Sequence, residues 1–209
     1  VIPKPGRPGE YRTVIDFRGL NQAIEKFAYP LPNIERNLAS LGKSNWFTVL
    51  DLLQGFHQAE LHEDSRQFTA FSCRLGQFQY KRAPMGLTSS PGTFVQLVDA
   101  CMRGLPPGIA ACFVDDIAIP TAGTFEEHIE QVGIVFDRLI ESGFTVRCDK
   151  VKIGMRELPY LGFFVGAYGT RPDPAKTRAI LELKGCDMDA AGAARYAGML
   201  GFYHEFLPM

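Results

Sequence analysis

Three acidic side chains end or interrupt apolar runs in this chain. Asp115 and Asp116 stand side by side between Ala110-Ala111-Cys112-Phe113-Val114 and Ile117-Ala118-Ile119, and Asp51 closes Trp46-Phe47-Thr48-Val49-Leu50. Runs of this length, rich in aromatic and β-branched residues and broken by an acidic pair, predict a hairpin whose tip carries both aspartates. If Asp51 arrives beside that tip on a neighbouring strand, two carboxylates about 4 Å apart repel by roughly 4 kcal/mol at an effective dielectric of about 20. A cation has to offset that repulsion. Hard oxygen ligands suit magnesium, which fills its octahedron with water and substrate phosphates. An Asp-Asp pair alone reads as a solvated turn; the third acid, ending a second strand, turns the pair into a candidate metal site.

The elements that must position these acids follow from punctuation and periodicity. Tyr11 to Phe17 alternates as a strand after the turn-rich Pro5-Gly6-Arg7-Pro8-Gly9. Asn33 caps a short helix that stops at Gly42, and a strand then leads into Asp51. Phe68 to Cys73 and Phe78 to Lys81 form strands around Arg74-Leu75-Gly76-Gln77. Ser90 as cap and Pro91 at the first position open a helix whose apolar stripe runs from Phe94 to Leu105. Thr124 and Glu127 have capping-box spacing for a helix to Ser142, with Gly143 just beyond and Ile129, Val132, Phe136, Leu139 and Ile140 facing inward. Tyr160 to Gly166 with a turn at Gly169 gives a further hairpin, Asp173-Pro174 opens a helix toward Leu183, and Ala190 to Phe206 reads as one more. Helices interleaved with antiparallel hairpins imply an α+β fold with the helices on one face of the sheet.

With 209 residues, 46% hydrophobic and 22% charged, the chain is long enough for a packed core and is not disordered. No apolar run approaches the roughly 20 residues that span a bilayer, so no membrane partner is expected. The opening Val1-Ile2-Pro3-Lys4-Pro5-Gly6 lacks a signal-peptide pattern and an initiator methionine, which suggests an internal piece of something longer. Five cysteines at wide, irregular spacings exclude a zinc motif and a disulfide scaffold and fit a reducing compartment. None of the four histidines has metal-ligand spacing, and packing or surface roles are expected for each. The formal net charge of −1 gives no general sign of nucleic-acid binding. Local clusters remain: Lys4, Arg7, Arg12 and Arg18, then Lys81 with Arg82.

Several blocks, in order, resemble the fingers and palm of a reverse transcriptase of the gypsy-type long-terminal-repeat retrotransposons, within a Pol polyprotein. They are Tyr11-Arg12-Thr13-Val14-Ile15-Asp16-Phe17-Arg18-Gly19-Leu20-Asn21, Tyr29-Pro30-Leu31-Pro32, Leu50-Asp51-Leu52-Leu53-Gln54-Gly55-Phe56-His57-Gln58, Pro84-Met85-Gly86-Leu87-Thr88-Ser89-Ser90-Pro91, Phe113-Val114-Asp115-Asp116 and Leu161-Gly162. Each block is short, but the ordered set is specific and covers nearly the whole chain. The resemblance implies a right-hand polymerase fold with an antiparallel sheet backed by helices. It assigns residues 1–45 and 61–90 to fingers, 46–60 and 91–165 to palm, and 166–209 to the primer-grip end and the start of a thumb or connection.

The same resemblance implies roles for single residues. Asp51, Asp115 and Asp116 would be the catalytic acids holding two magnesium ions, with manganese as a substitute and the Leu52 carbonyl as a further ligand. Phe56 would pack under the incoming sugar and exclude a 2′-hydroxyl; without the nearby aspartate it would read as a core phenylalanine. Lys4 and Arg12 would contact the triphosphate, for which a lysine point charge and a bidentate arginine are suited. Met85 and Gly86 would lie against nucleotide and template, Lys150 would protonate the departing pyrophosphate, and Leu161-Gly162 would grip the primer. A bulge glycine is the competing explanation for Gly162. Met85, where phenylalanine or glutamine is usual, and Phe113, in place of tyrosine, depart from the family pattern.

The expected function is therefore template-directed polymerisation of deoxynucleoside triphosphates onto a primer, copying RNA and also DNA. Expected partners are a primed RNA or DNA template, the nucleotides, and the protease, RNase H and integrase parts of a Pol polyprotein outside this chain. The expected location is a cytoplasmic particle or the nucleus. Two alternatives differ in class: a domesticated domain that holds nucleic acid without catalysis, against which the intact acids argue, and another palm-fold enzyme such as a cyclase, which has no use for Phe56 or the fingers hairpin.

Overall fold

A computed structural model describes the chain apart from residues 1, 4–8, 13, 26–27, 184–188 and 207–209. The first part contains β1 (Ile2–Pro3), β2 (Tyr11–Arg12), α1 (Arg18–Ala23), α2 (Ile34–Leu41), β3 (Trp46–Asp51), α3 (Glu63–Arg66), β4 (Phe71–Cys73) and β5 (Gly76–Phe78). There follow α4 (Ser90–Met102), β6 (Ala111–Phe113), β7 (Asp116–Thr121), α5 (Phe125–Glu141) and β8 (Lys152–Met155). The last part holds β9 (Glu157–Tyr160), β10 (Phe163–Gly166), β11 (Gly169–Pro172), α6 (Pro174–Leu183) and α7 (Ala190–Phe202).

The site-bearing sheet has the order β6-β7-β3-β8, antiparallel throughout. Its two-residue side-chain period divides the apolar residues between two cores. Leu50, Ile117 and Ile119 pack with Phe94 and Val98 of α4 and with Val132, Val135 and Leu139 of α5. On the opposite face Phe47 and Ala118 pack with Leu41 of α2 and with Leu158, Tyr160 and Val165 of the β11-β10-β9 sheet. Helices therefore cover both faces, not one as the sequence pattern implies, because strands apolar on both sides leave no wet face. Burial of each large apolar side chain stabilises the fold by about 1.5–3 kcal/mol. A one-residue slip would turn both sets to the wrong side, so the register that places the acids is strongly specified.

Local signals set most helix ends. Asn33 Oδ1 accepts from Arg36 N–H at 3.0 Å, and Gly42 follows α2 as its C-cap. Thr124 and Glu127 form the expected capping box, with bonds of 3.2 and 2.8 Å, and Gly143 lies just past α5. The inward stripe of α5 is as expected in part: Val132 and Leu139 are buried and Phe136 packs against the core, but His128 and Val135 join them, whereas Ile129 and Ile140 are exposed. A polar residue hid the true stripe. His128 is fully buried because both ring nitrogens are satisfied, one by Thr48 Oγ1 and the other by Thr121 Oγ1, each at 2.8 Å.

Other expectations shift with tertiary context. Tyr11 to Phe17 is not one strand: among the described residues of that span only Tyr11–Arg12 pairs, with Ile2–Pro3, and residues 14–17 are irregular. Residues 67–69 form a 3-10 turn, so the hairpin expected from Phe68 begins at Phe71 and ends at Phe78. Ser90 is not the cap of α4 but its first residue; its Oγ donates to Pro84 O at 3.1 Å, and the helix ends at Met102, before the expected Leu105. Tyr160 to Gly166 is not a single strand, since Leu161-Gly162 is the turn between β9 and β10. The helix expected from Ala190 to Phe206 ends at Phe202, and a 3-10 turn spans His204–Phe206. Among the described residues no helix is long and apolar enough to cross a membrane.

Candidate active site

Asp51 ends β3 directly opposite Asp116, the first residue of β7. Leu52 N–H donates to Asp115 O at 3.0 Å, so the Asp51/Asp116 pair is of the non-hydrogen-bonded kind, with Cα atoms roughly 4.5 Å apart and side chains on the same face. Phe113 pairs with Asp116 on the other side, which leaves Val114 and Asp115 as the two-residue turn. The expected acidic tip is thus corrected: Asp115 is in the turn, while Asp116 is inside the ladder.

That turn is held in an unusual conformation. Val114 has φ +55°, and Asp115 is not among the positive-φ residues, the type II′ pattern that normally takes glycine first. A β-branched residue there costs about 1–3 kcal/mol. Val114 packs against the α4/α5 core, which helps to hold it. Gly55 lies close beside Asp115: a Cβ there would meet Asp115 Cβ and the Phe94 ring, each at 3.4 Å, in ordinary contact.

The charges around the acids are uneven. Burial, then the nearby Asp115 and Asp51 carboxylates, push the Asp116 carboxyl up to about 6, and Lys150 opposes the rise. Lys150 Nζ lies 2.5 Å from Asp51 Oδ2. It is brought there by a return of the chain onto β3, in which Arg147 N–H donates to Asp51 O at 2.8 Å and the 3-10 turn Cys148–Lys150 follows.

The donor set fits a hard divalent cation in kind: carboxylate oxygens from Asp51, Asp115 and Asp116 in one corner, and a peptide carbonyl at Leu52. The Leu52–Val146 bridge is closed by Arg147 N–H on Asp51 O and Leu53 N–H on Thr145 O, so it does not consume the Leu52 carbonyl. As the side chains stand, no three His, Cys, Asp or Glu groups among the described residues converge at metal-binding spacing. The backbone register, rather than a finished cage, brings the acids together.

The remaining candidates fall in three places. Phe56 sits on the 3-10 turn Gly55–Gln58 just beyond Asp51, half-buried, its ring edge-on to Phe94 at 5.8 Å. Met85, 43% exposed, and Gly86, at φ +99°, precede α4. Asn21 of α1 ties that loop down, donating to Gly86 O at 2.8 Å and accepting from Thr88 N–H at 3.0 Å. Arg12 lies on β2 opposite Ile2; its side chain, and the whole of Lys4, lie outside the described residues.

Leu161 and Gly162 have φ +51° and +86°, the type I′ turn of a two-residue hairpin. A Cβ on Gly162 would meet Tyr203 Oη at 3.0 Å and Phe202 at 3.6 Å. The missing bulk at Gly162 is therefore filled by the end of α7.

In the sequence Asn21, Gly55 and Gln58 stand out only as members of motif blocks, and Tyr203 carries no signal. Gln58 is spliced into the strand ladder beside the site: its Oε1 accepts from Thr145 N–H at 2.7 Å, and its Nε2 donates to Leu53 O and Thr145 O at 2.8 and 3.0 Å. The two bonds to Thr145 link residues 87 positions apart, which no local pattern encodes.

Comparison with known proteins agrees with the geometry. The family model described as "Reverse transcriptase (RNA-dependent DNA polymerase)" matches residues 2–165. The Pol polyprotein of transposon 297 from Drosophila melanogaster is 36% identical over 100% of this chain and 20% of its own length. That of transposon gypsy, from the same organism, is 34% identical over 97% of the chain and 19% of its own length. The chain thus spans about a fifth of these relatives. Among solved structures, a foamy viral protease-reverse transcriptase in complex with double-stranded DNA has a TM-score of 0.86 at 26% identity, covering 99% of this chain and 36% of that one. The same kind of enzyme with an RNA/DNA hybrid has a TM-score of 0.80 at 25% identity over 95% of this chain and 26% of that one. With the family model matching well over half its length, and with relatives more than 30% identical across nearly the whole chain, this chain belongs to the reverse transcriptase (RNA-dependent DNA polymerase) family.

Proposed function

We propose that this chain extends a primed nucleic-acid strand with deoxynucleoside triphosphates, copying RNA and also DNA. The observation that carries this reading is the register of Asp51 against Asp116 with Asp115 in the adjoining turn. Similarity to reverse transcriptases solved with double-stranded DNA and with an RNA/DNA hybrid supports a primed duplex as the partner. The rest of a Pol polyprotein is proposed as its covalent context.

Asp51, Asp115 and Asp116, with the Leu52 carbonyl, would hold two divalent cations, magnesium by the hardness of the donors. Bound there, the pair would supply Lewis acidity that favours the primer alkoxide and offsets charge on the leaving pyrophosphate. The chain's own part is positional. The β3–β7 ladder fixes Asp51 and Asp116, the pairing of Phe113 with Asp116 sets the turn that carries Asp115, and Gln58 holds the strand that follows Asp51. Phe56, standing just beyond Asp51, would bar a 2′-hydroxyl, and Arg12 with Lys4 would bind the triphosphate.

Primer extension with magnesium tests the proposal. Asp115→Asn is expected to lower the rate by on the order of 100-fold or more, because an anionic ligand at the reacting phosphate is lost. Equal extension by wild type and Asp115→Asn would overturn it.

A further inference from the structure

Lys150 is the basic side chain that the fold carries back to the acids. Its ammonium contacts Asp51 Oδ2 at 2.5 Å, with Asp51 only 15% exposed and Lys150 52% exposed. Neighbouring bases are engaged or placed otherwise: Arg147 Nε pairs with Asp149 Oδ1 at 3.0 Å, and Lys152 is exposed on β8 opposite Val49. The approach is built into the backbone, since Arg147 N–H is bonded to the carbonyl of Asp51 itself and Lys150 N–H closes the following turn on Arg147 O at 3.1 Å.

We infer that Lys150 is the resident counter-cation of Asp51 and competes with a divalent cation for the same carboxylate oxygen, so that loading the site requires exchange of the ammonium for the metal. The inference rests on the polymerase reading above. An ammonium and a divalent ion cannot share one oxygen lone pair at contact distance without strong repulsion between them. The exchange has two consequences. Metal affinity is weaker than the acids alone would give, and the lysine is displaced from Asp51 when the metal enters, the two being reciprocal by linkage. Lys150 acts on the metal through Asp51 and is in that respect a positioning residue.

Mn2+ binding to the 209-residue chain, followed by electron paramagnetic resonance of free Mn2+ with no nucleotide or primer, reads the exchange without activity. Lys150→Met and Lys150→Gln are expected to tighten Mn2+ binding about threefold to tenfold. Lys152→Gln, which removes the same charge without the contact, is expected to change it less than twofold. In wild type the chemical shift of the Lys150 ammonium should move on saturation with Mg2+, while that of Lys152 stays. Unchanged or weaker Mn2+ binding in both Lys150 variants, or equal tightening in Lys152→Gln, would overturn the inference while leaving the polymerase reading intact. Wild-type binding that does not depend on Asp51 would overturn both.

Discussion

Tyr203 donates its phenolic hydrogen to the carbonyl of Gly162 at 3.1 Å, joining the end of α7 to the β9–β10 turn. The same oxygen accepts from Asp173 N–H at 3.0 Å, and Phe163, next in the chain, lies in a ring cluster with Phe202, Tyr203 and Phe206. Gly162 is thus held from two sides.

Gly162→Ala combines a positive φ with a close contact to Tyr203 Oη and is expected to cost about 1–3 kcal/mol. Tyr203→Phe should cost about 0.5–1.5 kcal/mol through the lost hydrogen bond. Because the phenylalanine also vacates the space a methyl needs, the double variant should lose less than the sum. Urea denaturation of the four proteins measures the coupling, and strict additivity would show that the contact does not constrain the turn.

Asp116 should titrate with a midpoint of about 6 in metal-free protein, as its carboxyl carbon resonance would report. Its folded value is raised above the unfolded one, so the stability it contributes is fully present below about pH 3.9 and is lost as pH rises through about 6. Asp116→Asn is accordingly expected to be more stable than wild type at pH 8, with the gap closing below pH of about 4. Added Mg2+ should pull the midpoint down, and Mg2+ affinity should fall as the pH drops below about 6.

His128 gives the opposite slope. Burial holds its imidazole below the usual value, so the unfolded state binds the proton more readily. Stability from this group is fully present above about pH 6.5 and declines as pH falls toward the lowered folded value. Both ring nitrogens face threonine hydroxyls, and among the described residues no charged partner bonds to them. Melting curves of His128→Gln should show a shallower acid decline than wild type between about pH 6.5 and 5; parallel declines would remove His128 as a cause.

Gln58→Leu deletes three hydrogen bonds beside Asp51 and leaves Thr145 N–H without its side-chain acceptor. The expected cost is about 1–3 kcal/mol. Primer extension should fall further than the population of folded protein, because Leu53 and Thr145 flank the strand end that carries Asp51. A rate that simply tracks the folded fraction would assign Gln58 to stability alone.

The acids were legible in sequence because each stands at the edge of an apolar run, and β3 and β7 end or begin at Asp51 and Asp116 as that pattern requires. Helix ends with local chemistry, Asn33 and Thr124, were legible for the same reason. What was not legible is tertiary. Ser90 looks like a cap but spends its hydroxyl on Pro84, and the α5 stripe runs through a histidine that only the two threonines make acceptable inside. The Val114–Asp115 turn differs from an acidic tip by one residue, a difference fixed by pairing of Phe113 with Asp116 rather than by composition.

A Cβ on Gly55 would lie 3.4 Å from Asp115 Cβ and from the Phe94 ring, an ordinary van der Waals contact, so this corner has room for a single methyl group. The loop after β3 consequently works as a gauge block: atoms beyond a methyl at position 55 would press on Asp115 or on the Phe94 ring. Drift at that one position to a larger side chain would reset the spacing of the acids without altering any acid.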